Sequence, residues 1–128
     1  MNHAVVHDKL FMRLQDLPVL AHMTYDVRDP YAVTVAFTSG GRVYAEWRLD
    51  RGMLRDGMLR PVGVGDVRMW PESDPSDAGL HIELCREVVF RVSERSLKRF
   101  LDRTYEAVPE GEERLDLDGL VDRLLADG

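Results

Sequence analysis

The sequence predicts one α+β domain, with a mainly antiparallel sheet of about seven strands, a short helix in mid-chain and two helices at its C-terminal end. Apolar and polar residues alternate through the first two thirds of the chain, as in half-buried strands. Apolar residues recur at helical spacing in the last third. The 128 residues, 45% of them hydrophobic, are the length and composition of a single domain spanning residues 1–128. Strands followed by helices are typical of the α+β class.

Seven segments carry the strand pattern. The clearest are 31–37 and 43–49, in which every second residue is apolar. A polar loop separates the strand near residue 67 from the one that follows. The other predicted strands lie near residues 10–15, 21–26, 66–70, 80–84 and 88–92.

Three segments have helix signals. Asp50 is suited to cap a short helix that ends at Gly57, and Ser93 is suited to cap a longer one that Pro109 stops. A further helix is predicted to begin at residue 116 or 118. The apolar stripe of the two C-terminal helices should be largely buried, and it comprises Leu97, Phe100, Leu101, Leu124 and Leu125.

The hairpin around Gly40–Gly41 has two candidate registers. A two-residue turn sets Phe37 opposite Tyr44 and mixes apolar and charged residues on one face. A loop one residue longer places the apolar residues together, and we prefer it because a one-residue slip reverses every side chain. This register pairs Phe37 with Val43, Val35 with Ala45 and Val33 with Trp47, with Gly41 left-handed. The same reasoning around residues 85–87 pairs Leu84 with Val88 and Ile82 with Phe90.

Charge and cysteine content exclude several classes of protein. The net charge of −6, with lysine only at Lys9 and Lys98, opposes binding to nucleic acid or an anionic membrane. Cys85 is the only cysteine, so no intramolecular disulfide forms, which fits a reducing cytoplasm. The sequence contains no apolar run of the ~20 residues that a membrane span needs, and residues 1–9 lack a signal-peptide core.

Residues able to do chemistry are present, but their spacing builds no catalytic, metal or cofactor site. Nothing forms a set of nucleophile, base and orienting group. We expect the isolated carboxylates of the predicted strands to be solvated or paired with arginine. The remaining candidates have structural interpretations: His3 and His7 as solvated side chains on a frayed helix, His81 on the polar side of a strand, Cys85 as a small buried or semi-buried side chain, and Asp26 and Asp29 as turn residues that bond nearby backbone N–H groups.

The two tryptophans have different expected positions. The preferred register places Trp47 toward the core. Trp70 follows a glycine-spaced segment and shares a strand face with Asp66 and Arg68, before Pro71 stops the strand. Trp70 is either an edge residue folded over the sheet or an anchor at a subunit or partner interface, where tryptophan is enriched.

Several motifs resemble the SsgA-like sporulation and cell-division regulators of sporulating actinobacteria. Their order and spacing agree over roughly residues 10–125, and the glycine–Asp–Val–Arg–Trp–Pro block is the most specific piece. The turn at residues 85–87 is shorter than we expect for the family. The matching motifs are Tyr25-Asp26-x-x-Asp29-Pro30-Tyr31-Ala32-Val33, Glu46-Trp47, Leu54-x-x-Gly57, Pro61-x-Gly63-x-Gly65-Asp66-Val67-Arg68-x-Trp70-Pro71, Phe100-Leu101-x-Arg103-Thr104 and Val108-Pro109-x-Gly111.

The resemblance implies a curved antiparallel sheet similar to the single-strand-binding Whirly fold, assembled as a trimer. It implies small, non-enzymatic, cytoplasmic proteins of sporulation-specific septation. One branch of the family helps to place the division protein FtsZ at septum sites, and others are linked to peptidoglycan remodelling. The family has no catalytic residue to carry over.

Three functional hypotheses follow. The first is a scaffold that binds division or septum-associated proteins. Its candidate contact surface is the face formed by Asp66, Arg68 and Trp70, together with the turn Asp29, Pro30 and Tyr31, which we expect to lie beside it. The alternative is a single-stranded nucleic-acid-binding module, which the fold analogy suggests and the charge of −6 opposes. A small enzyme or ligand-binding domain is the third, and a deep pocket gathering His22, Cys85 or the two aspartates would support it.

Overall fold

A computed structural model describes residues 4–114 and residue 125. Within these residues the chain forms eight strands and two helices, which confirms the α+β prediction. In chain order they are β1 (Val5–Leu14), β2 (Leu17–Asp26), β3 (Ala32–Ser39), β4 (Arg42–Asp50), α1 (Arg51–Gly57), β5 (Val62–Val64), β6 (Val67–Pro71), β7 (Gly79–Leu84), β8 (Val88–Ser93) and α2 (Glu94–Ala107).

The strands form one curved antiparallel sheet in the order β4-β3-β2-β1-β8-β7-β6-β5. Two four-stranded meanders, β1–β4 and β5–β8, meet where β1 pairs with β8. Helix α1 connects the two outermost strands, β4 and β5, and it contacts both of them and β6. The sheet therefore curves into a half-barrel whose inner face is covered by α1 and α2.

The core lies between this inner face and the two helices. Alternate strand residues point inward, which is why the sequence alternation predicted them correctly. Trp47 is half-buried and packs against the core, as its predicted orientation requires. The largest buried apolar side chains from the strands and helices are Leu10, Met12, Met23, Tyr25, Leu54, Met69, Leu80, Ile82, Leu97 and Phe100.

Helix α2 follows its prediction closely. The Ser93 hydroxyl accepts the backbone N–H of Ser96 at 3.1 Å, and the helix ends at Ala107, two residues before Pro109. The predicted buried stripe is confirmed at Leu97, Phe100 and Leu101. Leu125 is 75% exposed, so that part of the prediction is wrong: helical spacing identifies a stripe but not the surface that covers it. Leu124 and the predicted start of the last helix lie outside the described residues.

Helix α1 also begins as predicted, since the Asp50 carboxylate accepts the Met53 N–H at 2.9 Å. Its last residue, Gly57, lies directly against the sheet. A Cβ at Gly57 would come within 2.9 Å of the Met69 Cβ and 3.0 Å of Leu80 Cδ1. Gly57 therefore serves close helix–sheet packing as well as helix termination.

The predicted register of the β3–β4 hairpin is wrong, although the inward face is right. Phe37 lies opposite Ala45, and Val35 and Val33 lie opposite Trp47 and Leu49. Near the turn the register is that of the rejected two-residue Gly40–Gly41 turn, with both glycines at positive φ. A bulge between Phe37 and Thr38 then shifts the pairing by one residue and restores the apolar face. The left-handed Gly41 is confirmed, with φ of 80°.

The β7–β8 hairpin has the predicted pairs, Leu84 with Val88 and Ile82 with Phe90. The sheet has one strand more than the seven predicted. The extra strand, β5, has only three residues, and its central Gly63 gives no alternation to detect.

Candidate recognition surface

The Asp29-Pro30-Tyr31 segment, hereafter the turn patch, closes the β2–β3 connection. As predicted, aspartate caps this turn: Asp26 Oδ1 accepts the Arg28 N–H at 2.9 Å, and the Asp26 carbonyl accepts the Asp29 N–H at 2.8 Å. For Asp29 the prediction is wrong, because its carboxylate accepts Arg48 Nε–H at 3.0 Å and no backbone N–H. Its other oxygen, Oδ1, is buried and has no hydrogen-bond partner in the described part of the chain. These two aspartates therefore shape the turn.

The rest of the turn patch is bonded to the body of the protein. The buried Tyr25 hydroxyl donates to the Pro30 carbonyl at 2.9 Å. Burial raises the pKa of Tyr25 to about 12, so the hydroxyl stays a donor. The Tyr31 carbonyl accepts the Arg51 N–H at 2.8 Å, and the Tyr31 hydroxyl donates to the Glu113 carbonyl at 3.2 Å. The Tyr31 ring is nevertheless 47% exposed.

Arg51 organises the region beneath the turn patch. It is 1% exposed, and its guanidinium lies 4.0 Å from the Tyr105 ring centroid and 4.9 Å from that of Tyr25. It donates to the Thr104 and Val108 carbonyls at the end of α2 and to the Glu113 carboxylate at 2.6 Å. A cation at a helix C-terminus also complements the helix dipole.

Sequence reasoning missed Arg51, since a charged residue is rarely buried. One signal could have found it. Arg51, Leu54 and Gly57 recur every third residue, and these are the buried residues of α1. Arg51 therefore lies on the inward stripe of its helix.

The second predicted group, Asp66, Arg68 and Trp70, is hereafter the strand patch. Arg68 and Trp70 lie on the face of β6 opposite the buried Met69, as predicted. Asp66 does not share that strand: it lies in the two-residue turn between β5 and β6, because Val64 pairs directly with Val67. Trp70 pairs with His81 across the strands, and their rings stack with centroids 5.4 Å apart. Arg68 is exposed and has no ion-pair partner among residues 4–114. The strand patch is therefore much less engaged by its own fold.

A charged cluster supports the Trp70 ring. The Glu72 carboxylate lies 2.8 Å from His81 Nε2 and accepts Arg91 Nε–H at 3.2 Å. Arg91 also pairs with Asp77 at 2.9 Å. The hydrogen bond from His81, followed by those from the Asp74 backbone and Arg91, lowers the pKa of Glu72 to about 2. His81, predicted only as a polar-side residue, thus connects Trp70 to this cluster.

Trp70 and Arg68 also line an open groove of about 490 Å³ that is formed by residues of β5 and β6. The half-buried Trp70 ring lies over its own sheet and keeps part of its surface exposed. The remaining lining residues come from the glycine-spaced segment and the strand it precedes: Pro61, Val62, Gly63, Met69 and Pro71.

The expected adjacency of the two patches is wrong within the sheet, because the strands that carry them are not neighbours. Strands β1, β8 and β7 lie between β2 and β6 in the sheet. In the described part of the chain no hydrogen bond or ion pair connects the turn patch with the strand patch. They are two surfaces with different surroundings.

The other candidate residues are dispersed. His7 lies on β1, so its predicted helix is wrong, and its Nδ1 is 3.3 Å from Thr24 Oγ1. Cys85 is exposed, so the expected burial is wrong too: it occupies a tight turn at φ of 57°. His3 lies outside the described residues. Across the described ranges, no three His, Cys, Asp or Glu side chains are grouped to hold a metal ion. None of the helices described is both long and apolar enough to cross a membrane.

Comparisons with known proteins agree on one family. The family described as "Streptomyces sporulation and cell division protein, SsgA" matches residues 19–113. The sporulation-specific cell division protein SsgB of Saccharopolyspora erythraea is 40% identical over 94% of this chain and 88% of its own length. SsgB of Streptomyces coelicolor is 40% identical over 87% of this chain and 85% of its own length.

Two solved structures resemble the fold at a TM-score of 0.80. One, from work on SsgB and longitudinal cell division during sporulation of Streptomyces coelicolor, is 37% identical and covers 87% of this chain and 94% of its own. The other, an SsgA-like sporulation-specific cell division protein from Thermobifida fusca, is 34% identical and covers 96% and 98%.

Proposed function

This chain belongs to the SsgA family of sporulation and cell division proteins, and we propose that it is a non-catalytic scaffold that recruits other division proteins to septum sites. Its relatives are named sporulation-specific cell division proteins, which supports the cellular role. The proposed binding of other proteins rests on the strand patch, where an arginine and a tryptophan are presented on the sheet.

The strand patch has the chemistry of a protein-binding hot spot. Tryptophan and arginine supply a large share of binding energy at interfaces. Stacking on His81 orients the Trp70 ring before a partner arrives, which reduces the entropy lost on binding. Arg68 has no internal ion pair to break among the described residues, so it can meet a carboxylate of the partner. The groove beside them accommodates an apolar side chain.

The turn patch has a supporting role in this proposal. The Asp29 carboxylate is bonded to Arg48 and the Pro30 carbonyl to Tyr25. Within this patch, Tyr31 therefore provides the substantial exposed surface. Tyr31 is therefore its contact residue, while Asp29 and Pro30 hold the ring in place.

We propose that the partner is the FtsZ division machinery, as the family resemblance implies. The protein acts in the cytoplasm and moves to septum sites through this contact.

We also propose that the chain is a homotrimer. Phe11 is 74% exposed and Tyr44 69% exposed, and these are large apolar surfaces for a single copy. Light scattering at micromolar concentration should give three times the chain mass of 14.7 kDa. A stable monomer would rule out the trimer, and the scaffold proposal would be unaffected.

Trp70→Ala tests the scaffold proposal. We expect the variant to fold and assemble, but to lose septation activity in a deletion strain and to capture FtsZ at least about tenfold less well, as for a hot-spot residue. Leu17→Ala is the control, because it removes another exposed apolar side chain, 66% exposed, that belongs to neither patch. Capture that survives in Trp70→Ala, or a variant that unfolds or dissociates, would contradict this site assignment.

A further inference from the structure

The groove that Trp70 and Arg68 line limits the kind of segment that a partner can place in it. Pro61 precedes β5, and Pro71 is the last residue of β6. Proline has no backbone N–H, so neither residue can donate to a strand laid against the groove. The other lining residues already pair within the sheet: Val62 with Met69, Gly63 with Arg68 and Trp70 with His81. An added β-strand would therefore find few backbone donors here.

Side chains supply the donors that the backbone lacks. The Trp70 indole N–H has no hydrogen-bond acceptor among residues 4–114, and its nitrogen is not buried. Arg68 lies opposite Glu83 in the β6–β7 register but makes no ion pair with it. Indole and guanidinium groups donate hydrogen bonds and accept none. The groove therefore suits a segment that is rich in free carbonyl groups.

The Trp70 ring meets its own fold on one side and the groove on the other. His81 of β7 stacks on the ring, with centroids 5.4 Å apart and 14° between the planes. Strand β5, which supplies Val62 and Gly63 to the groove, lies on the opposite side of β6. A Cβ at Gly63 would come within 3.3 Å of Arg68 Cγ, so glycine leaves room for the Arg68 side chain. The groove therefore combines a supported indole ring with two proline rings.

We propose that this groove binds a proline-rich segment of the partner in the polyproline II conformation, an inference that rests on the proposed protein-binding role of the strand patch. Such a segment has no internal hydrogen bonds, so its carbonyl groups are free, and its prolines have no N–H that needs an acceptor. Proline-rich segments dock on aromatic-lined grooves, and their preformed conformation loses little entropy on binding. The Trp70 N–H and Arg68 donate to carbonyl groups of the segment, while a proline ring packs on the indole.

The probe is octaproline with blocked ends, and the readout is nuclear magnetic resonance of the full chain labelled with nitrogen-15. Octaproline should shift the indole N–H resonance of Trp70 and the amide resonance of Gly63, and it should leave the indole resonance of Trp47 in place. The matched control peptide is octa-D-proline, which has the same composition and the opposite helical hand. It should shift none of these resonances at the same concentration.

Trp70→Phe keeps an aromatic ring but removes the indole N–H. It should weaken octaproline binding, followed at the Gly63 amide, about two- to tenfold, as for one lost hydrogen bond. Trp47→Phe is the control variant, because it makes the same change at the other tryptophan, and it should leave the affinity unchanged. Equal shifts from octa-D-proline or from a helical peptide of alanine, glutamate and lysine would overturn the proposal, as would an unmoved Trp70 indole resonance.

The failure of this inference and the failure of the scaffold proposal give different results. If Trp70→Ala loses FtsZ capture while octaproline leaves the Trp70 resonance in place, polyproline recognition is wrong and the scaffold proposal stands. If octaproline binds as expected but Trp70→Ala keeps full capture of FtsZ, the groove recognises polyproline and the strand patch is not the FtsZ contact.

Discussion

The turn patch and the strand patch contain the same kinds of residue but differ in how far their own fold uses them. Asp29, Pro30 and Tyr31 are bonded to Arg48, Tyr25, Arg51 and Glu113. In the strand patch, Arg68 has no ion pair within the described residues. The Asp66 carboxylate lies 3.7 Å from Arg86, and the Asp66 carbonyl accepts the Cys85 N–H at 3.1 Å. An aspartate, an aromatic ring and a tight turn in sequence therefore do not distinguish a structural motif from a recognition motif.

The charged groups beneath the patches differ in the same way. Arg51 is buried, with a 2% exposed side chain, and three acceptors and two rings surround it. The Glu72 cluster is near the surface, with about a fifth of the His81, Arg91 and Glu72 side chains exposed. A buried charge must keep its partners to offset its desolvation, whereas a surface cluster can lose one member at little cost.

Arg51→Ala should have the largest effect, a loss of about 3–5 kcal/mol in the free energy of unfolding, because it leaves buried acceptors without a donor. Urea unfolding followed by circular dichroism measures this loss. Arg60→Ala is the control for the same residue type at the surface, where Arg60 pairs with Asp56 at 3.3 Å, and it should cost less than about 1 kcal/mol. A loss under 1 kcal/mol for Arg51→Ala would show that Arg51 does not hold the turn patch in place.

Acid should weaken the cluster beneath the strand patch. The folded pKa of Glu72, about 2, lies below its ordinary value of 4.5, so its stabilising effect is present above pH 4.5 and is lost as the pH falls toward 2. Urea midpoints measured across this range should fall less steeply in Glu72→Gln than in the wild type. The exposed Glu106→Gln on α2 serves as control, and equal slopes for all three proteins would contradict the role of Glu72 in the cluster.

The smallest expected effect concerns nucleic acid. Tyr31 and Trp70 are exposed or half-exposed aromatic residues, but base stacking in single-strand binders comes with a basic groove. With a net charge of −6, the chain should give no change in the anisotropy of a labelled single strand at micromolar protein and physiological salt. A complex that weakens as salt rises would identify the patches as stacking platforms and favour the alternative function.

Local pattern was enough to predict most of the elements. The alternation of apolar residues identified the inward faces, and Asp50 and Ser93 were recognised as caps because a short oxygen-bearing side chain bonds nearby N–H groups. The β7–β8 register followed from matching two apolar faces across a short turn. These features depend on neighbours in sequence, so the sequence carries them.

The errors come from features that depend on distant residues. The β3–β4 prediction chose a longer turn to align the apolar faces, whereas the fold keeps the tight turn and aligns them with a bulge. The three-residue β5 exists because β6 offers it a hydrogen-bonding edge. Leu125 carries the right spacing for burial and is exposed.

By itself, the sequence determined the fold class, the inward faces, the caps and the motifs that identify the family, because periodicity and capping are local chemistry. Tertiary structure alone decided that Arg51 is buried beneath the turn patch, that Trp70 stacks on His81, and that the two patches are separate surfaces. Each of these depends on which strands and helices become neighbours. That choice follows from the packing of the whole chain, where the cost of burying a charge or exposing a ring is offset by residues far away in sequence.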